Sequence, residues 1–290
     1  MARGERAVLG RGLHHGTEGR PDPTTRDDPG PDREGLDGLS SGRSGIIGRC
    51  TYVIAIGRFG PGTVFVAGNR DEALDRPFLP PALTELDGRT VLTSLDHRGG
   101  SNLGTDGHRV VALTNAPGPS PSPNARSRGL LVTDLLGAGL GSVDRTAVLD
   151  VVRSHDHGPF HLLVADTNGA LAISHVDSGL RMRHWAEGSF VLHFLHEAPL
   201  SLAEDELPRA GMEGLAGLDE VATATADLLR SHEAWPVTGH PPCRHGETRG
   251  TVSTFELFLD PHCPERAGML FGSGPTCEAE RVECPWPLAN

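Results

Sequence analysis

The sequence predicts an α+β fold built on antiparallel sheets, and three observations carry that reading. Short β-branched runs separated by tight Gly, Asn and Asp turns recur along the chain. Apolar residues at helical spacing occur in only a few stretches, grouped between sets of strands. The resulting order of strands, helices, strands, helix, strands is that of sheets joined through hairpins, not through repeated parallel crossovers.

Residues 1–49 stand apart from this pattern. They hold eight arginines, eight acidic residues and no Phe, Trp or Tyr. Such a stretch cannot bury enough apolar surface to offset its ordering entropy and is expected to be a disordered tail. The domain is expected at residues 50–290. Its first element is a hairpin from Cys50 to Glu72, two β-branched runs around Gly57-Arg58-Phe59-Gly60-Pro61-Gly62. That pairing brings a thiol at the start of one strand near Arg70 and Asp71 at the end of the other, which suits an activated sulfur nucleophile.

Pro77, Pro80 and Pro81 mark an irregular link before a short β-rich run at Thr90 to Leu95. Gly99 to Gly104 reads as a loop, and Asp106-Gly107 as a tight turn into a strand from Arg109 to Asn115. Four prolines and three serines between Ala116 and Ser127 make that segment a surface loop or lid. Helical spacing predicts a helix over Gly129 to Leu140, and Asp144 can cap a second that runs through Val152. Strands return at Phe160 to Ala165 and Ala170 to Val176, with Arg181 to Trp185 and Phe190 to Leu195 extending the same meander. A helix is predicted from Asp219 to His232, then strands at Val252 to Leu259 and Ala267 to Phe271. The Pro- and Cys-rich end is expected to be irregular.

Composition narrows the function classes. All 26 basic residues are arginine, and 38 acidic residues give a net charge of −12. Because the tail is balanced, the whole excess falls on the domain, which disfavours nucleic-acid binding. No apolar run reaches membrane-spanning length, so no membrane span and a cytoplasmic location are expected. Five cysteines, an odd number, do not form a disulfide framework. Cys243, His245, His262, Cys263, Cys277 and Cys284 form a loose set with irregular gaps and no Cys-x-x-Cys pair, so neither a metal nor a cofactor is expected.

Several segments in order resemble a known family. These are Cys50 opening a strand, Asn69-Arg70-Asp71-Glu72, Gly99-Gly100 with Leu103-Gly104, Leu113-Thr114-Asn115 and Arg128-Gly129-Leu130-Leu131. Leu162-Leu163-Val164-Ala165-Asp166 and Thr248-Arg249 with Ser253-Thr254 follow. The order is similar to that of the NRDE family, also called the transport and Golgi organisation 2 family, which resembles the cysteine N-terminal nucleophile hydrolases. The resemblance implies a four-layer αββα sandwich of two antiparallel sheets, with the strands ending at Asn69 and Asn115 in one sheet. It also implies a hydrolase acting on C–N bonds other than peptide bonds, with a small-molecule amide or acyl substrate. The alternative on the same fold is a non-catalytic carrier of haem or lipid; oligomeric state is left open, a homo-oligomer included.

Carried over by resemblance, Cys50 is the nucleophile, Arg70 favours its thiolate, and Asp71 orients the α-amine that acts as base. Asn115 supplies an oxyanion donor, Arg249 completes the charged cluster, and Asn69 and His196 contact substrate. An α-amine pKa of about 8 beside a thiol of about 8.5 makes that proton transfer inexpensive. Two departures stand out. Arg49 precedes Cys50 where the family usually has a removable Met, so the tail must be cut to create the amine. A second asparagine expected after the central meander falls on His196 or Glu197.

Overall fold

Every strand ladder among the described residues is antiparallel. The computed structural model describes residues 49–140, 144–176, 179–194, 200–201 and 225–286, all within the unit Ser44–Asn290. In chain order the elements are β1 (Arg49–Ile56), β2 (Val64–Ala73), β3 (Ala82–Leu86), β4 (Arg89–Thr93), β5 (Leu103–Thr105), β6 (Arg109–Asn115), α1 (Arg128–Gly137) and α2 (Arg145–Arg153). Then come β7 (Phe160–Asp166), β8 (Gly169–Val176), β9 (Gly179–Trp185), β10 (Gly188–His193), β11 (Leu200–Ser201), β12 (Arg249–Leu259), β13 (Gly268–Ser273) and β14 (Arg281–Glu283). One seven-stranded sheet has the order β11-β10-β1-β2-β12-β13-β14, and the other β3-β4-β5-β6-β7-β8-β9.

Period-two alternation assigns the faces. Tyr52, Ile54 and Ile56 of β1 and Val64 and Val66 of β2 share one buried cluster with Leu92, Val110, Ala112 and Leu163 of the other sheet. The principal core therefore lies between the two sheets. The alternate residues Val53, Ala55, Phe65 and Ala67 face the other way, against Leu229 and Trp235. On the far side of the second sheet, Val111, Leu113 and Leu162 are covered by Leu131 and Leu135 of α1 and Val148 of α2. Asp144 caps α2 as expected, accepting from the backbone N–H of Thr146 at 2.7 Å.

One glycine sets the register near the site. A Cβ on Gly68 would stand 2.5 Å from Tyr52 Cδ1 and 2.6 Å from the Thr51 carbonyl oxygen. Tyr52 can cross β2 only because that position is bare.

Several expectations need correction, and the loop expected over Gly99 to Gly104 already gives way to β5 at Leu103. β10 does not extend the meander; it leaves the second sheet and pairs with β1. The reason is burial: Phe190 and Leu192 alternate into the inter-sheet core, while Trp185 stacks on Phe190 at 4.3 Å across the corner. Asn69 and Asn115 consequently sit in different sheets. The Pro-rich link ends in a strand, β3, whose largely exposed pattern hides any alternation. The C-terminal region holds β14, a three-residue edge strand paired to β13. Of the helix predicted over Asp219 to His232, residues 225–230 are helical and residues 219–224 lie outside the described residues; His232 is not helical.

Candidate functional site

Antiparallel pairing puts Cys50 directly across from Arg70, and both belong to the inner face of the first sheet by alternation. Together they form one wall of a cleft that also draws Asn115 from the second sheet, Asn102 from the bend just before β5 and Arg128 from the start of α1. The cleft encloses ≈ 630 Å³, including the part open to solvent. Helix α1 can approach this closely because its backbone touches the Gly99-Gly100 loop: a Cβ on Gly100 would lie 3.1 Å from the Gly129 carbonyl carbon. The Ser101 N–H donates to the Gly129 oxygen at 3.0 Å.

The two sheets are also stitched at Cys50 itself. The Cys50 backbone N–H donates to Thr114 Oγ1 at 3.2 Å, and the Thr114 hydroxyl returns to the Cys50 carbonyl at 3.3 Å. Behind the thiol, the Tyr52 hydroxyl donates to the Leu113 carbonyl at 3.0 Å and accepts from Asn102 Nδ2 at 2.9 Å. Burial pushes the Cys50 thiol up to about 11, although the Arg70 guanidinium and the nearby Tyr52 hydroxyl pull the other way. In the chain as it stands, with Arg49 attached, the thiol is protonated at neutral pH.

Charge in the cleft is organised around Glu72, a buried carboxylate. Its oxygens lie 2.8 Å from Arg76 Nη1, 3.1 Å from Arg249 Nη2 and 3.8 Å from Arg70 Nη2. Arg76 extends the network to Asp96 at 3.2 Å. Although burial opposes it, backbone N–H groups of Gly100 and Arg98 together with Arg76 hold the Asp96 carboxyl below its usual value. Arg70 lies over the Phe78 ring at 5.1 Å, and its Nη1, buried, has no hydrogen-bond partner among the described residues. That nitrogen is a donor left for a ligand.

The expected site residues therefore separate. Cys50, Arg70 and Asn115 line the cleft, and Arg249 reaches it through Glu72. Asn69 and Asp71 turn to the outer face, because their neighbours Arg70 and Glu72 take the inner one. Asn69 Nδ2 donates to the Leu229 carbonyl at 2.9 Å and the Pro242 carbonyl at 2.8 Å, while its Oδ1 accepts from the Thr276 hydroxyl. Asp71 accepts from the Thr251 hydroxyl at 2.7 Å and lies 3.9 Å from Arg244. Asn69, expected as a substrate contact, is thus a buried brace. His196 and Glu197 lie outside the described residues. Sequence reasoning missed Glu72, Tyr52 and Asn102 as site residues. Only Glu72 carried a signal, by standing two residues beyond Arg70 on a strand.

The outer face gathers a second set of thiols. His232, Cys243, His245 and Cys277 bring one ligand atom each to within 4.8 Å of one another. Cys243, His245 and Cys277 belong to the loose set noted in the sequence; the structure adds His232, and His262, Cys263 and Cys284 are not part of the group.

Residues 62–196 match the family model described as Transport and Golgi organisation 2. The match takes in Arg70, Glu72, Asn102, Asn115 and Arg128, and stops short of both Cys50 and Arg249. No match is found among curated proteins. Among the described residues no helix is long and apolar enough to cross a membrane.

Proposed function

Starting from a chain that belongs to the transport and Golgi organisation 2 family through residues 62–196, we propose a cysteine amidohydrolase of the N-terminal nucleophile type, latent until the Arg49–Cys50 bond is cut. The four-layer sandwich of such enzymes is part of this reading. The observation that carries it is the cross-strand pair at the cleft wall: a buried thiol opposite an arginine whose Nη1 has no partner among the described residues.

Cutting the Arg49–Cys50 bond converts the Cys50 amide nitrogen, held 3.2 Å from Thr114 Oγ1, into an α-amine. An amine there takes the thiol proton, and the Arg70 charge stabilises the thiolate. The sulfur attacks the substrate carbonyl, Asn115 donates to the oxyanion, and the protonated amine passes its proton to the leaving nitrogen. Water then hydrolyses the thioester, releasing a carboxylic acid and restoring the thiol. The carboxylate at the site is Glu72 rather than Asp71, since Glu72 shares the inner face with Cys50. Polar and charged side chains dominate the cleft lining, so the substrate is a small polar amide whose acyl oxygen or carboxylate meets Arg70.

The test uses two chains. One beginning at Cys50 should react with an electrophilic amide acyl probe, and Cys50→Ala should abolish the labelling. The uncut 290-residue chain should remain unlabelled. Equal labelling of cut and uncut protein would remove the α-amine from the mechanism. Labelling of neither would leave a binding cleft in place of an enzyme.

A further inference from the structure

We propose that His232, Cys243, His245 and Cys277 form a structural zinc site on the outer face of the first sheet. The four residues come from three separate segments, yet their ligand atoms all fall within 4.8 Å of one another. Tetrahedral zinc with Zn–S of about 2.3 Å and Zn–N of about 2.0–2.1 Å sets sulfur–sulfur edges of about 3.8 Å and sulfur–nitrogen edges of about 3.6 Å. The Cys243 and Cys277 sulfurs are 3.6 Å apart. His245 Nε2 lies 3.9 Å from Cys243 Sγ and 3.1 Å from Cys277 Sγ. The sulfur–nitrogen separations bracket their tetrahedral edge, and the sulfur–sulfur distance lies just under its own and far beyond a disulfide bond of about 2.05 Å. The His232 and His245 rings stand 5.0 Å apart and nearly perpendicular, which lets both offer a nitrogen to one point.

Two surrounding features fit a metal. With Nε2 toward the sulfurs, His245 turns Nδ1 toward the Glu278 carboxylate, 4.0 Å away, the side from which an outer carboxylate would orient a ligating imidazole once it closed to hydrogen-bond distance. Asn69 supports the whole group from beneath. Its three hydrogen bonds go to Leu229, three residues before His232, to Pro242, just before Cys243, and to Thr276, just before Cys277. One buried side chain on β2 thereby indexes all three ligand-bearing segments. Two thiolates and two imidazoles fill a tetrahedron, so the metal would act as a clamp and not as a Lewis acid with an open position. Its role is to hold the 231–245 and 274–284 segments against the strand that presents Arg70.

The experiment is metal analysis of the reduced full-length chain purified with zinc, together with the absorption spectrum after cobalt(II) replacement. One zinc per chain is expected, with the visible bands and thiolate-to-cobalt charge transfer of a tetrahedral site containing two thiolates. Cys243→Ser and Cys277→Ser should each lower the bound zinc at least about tenfold, and Asn69→Ala should weaken zinc affinity by about 10- to 100-fold in competition with a chelator. Cys263→Ser and Cys50→Ala should keep the full complement, so loss of amidase labelling and loss of metal are read separately. The cobalt spectrum of the unmutated chain guards against a variant that merely misfolds. No zinc and no two-thiolate cobalt spectrum in the reduced wild type would overturn the proposal. So would zinc that persists when both cysteines are serine, or a Cys243–Cys277 disulfide as the resting form under reducing conditions.

Discussion

On strand β2 the inner residues Arg70 and Glu72 face a cleft, while their neighbours Asn69 and Asp71 hold down loops on the opposite face. The inner pair is a charge network with one group left over: Glu72 is shared among three arginines, and Arg70 keeps a buried N–H group without a hydrogen bond among the described residues. The outer pair is committed, with both ends of the Asn69 amide used and Asp71 bonded to Thr251. Unmet polar groups at a cleft mark where a ligand can bind, and fully bonded ones mark where the fold is fastened. Four consecutive residues thus serve two tasks because a strand alternates its side chains.

That contrast can be broken, starting from the largest effect. With the tail attached and the Cys50 thiol pushed up to about 11, alkylation of Cys50 should rise by about tenfold per pH unit from neutrality and level off only above that value. The sign follows from the reactive species: a raised thiol pKa means too little thiolate at neutral pH, and more as pH climbs. In the chain beginning at Cys50 the rise should be complete at lower pH, a difference of about 300-fold at pH 7.5 if the pKa returns to the free value of about 8.5. Peptide mapping after iodoacetamide treatment reads this site alone, and identical profiles for both chains would mean the amine does not control the thiol.

On the outer face, Asn69→Ala should destabilise the fold by about 3 kcal/mol or more, since it leaves two buried carbonyls and one hydroxyl without their partner at roughly 1 to 3 kcal/mol each. Urea unfolding measures this, and a loss below about 1 kcal/mol would show that Asn69 is not a brace. Gly68→Ala, between the two tasks, should cost about 1–3 kcal/mol by forcing Tyr52 from its place over β2. Its diagnostic is a fall in acyl labelling that accompanies the fall in urea midpoint, because Tyr52 backs the thiol. Arg70→Gln should lower the acylation rate on the order of tenfold, about 1.4 kcal/mol in barrier, with zinc content unchanged. Metal loss in Arg70→Gln would collapse the distinction between the faces.

The hairpin was determined by the sequence alone. Two β-branched runs around a Gly/Pro turn bring Cys50 near Arg70 and Asp71, and the observed register, Cys50 across from Arg70, selects the arginine by period-two alternation. The same alternation already placed Asn69 and Asp71 on the other face, though a tetrapeptide read as a unit conceals it. The strand from Arg109 to Asn115 and the Asp144 cap were legible for the same local reasons. Tertiary structure decided what local pattern cannot encode. β10 joined the first sheet because burying Phe190 and Leu192 between the sheets outweighs continuing an exposed edge beside β9. The cleft needed Asn115 from one sheet and Asn102 from the bend leading into it to meet Cys50 and Glu72 from the other. The thiol and imidazole cluster was invisible as spacing, because residues 232, 243 and 277 become neighbours only when three segments pack onto one asparagine.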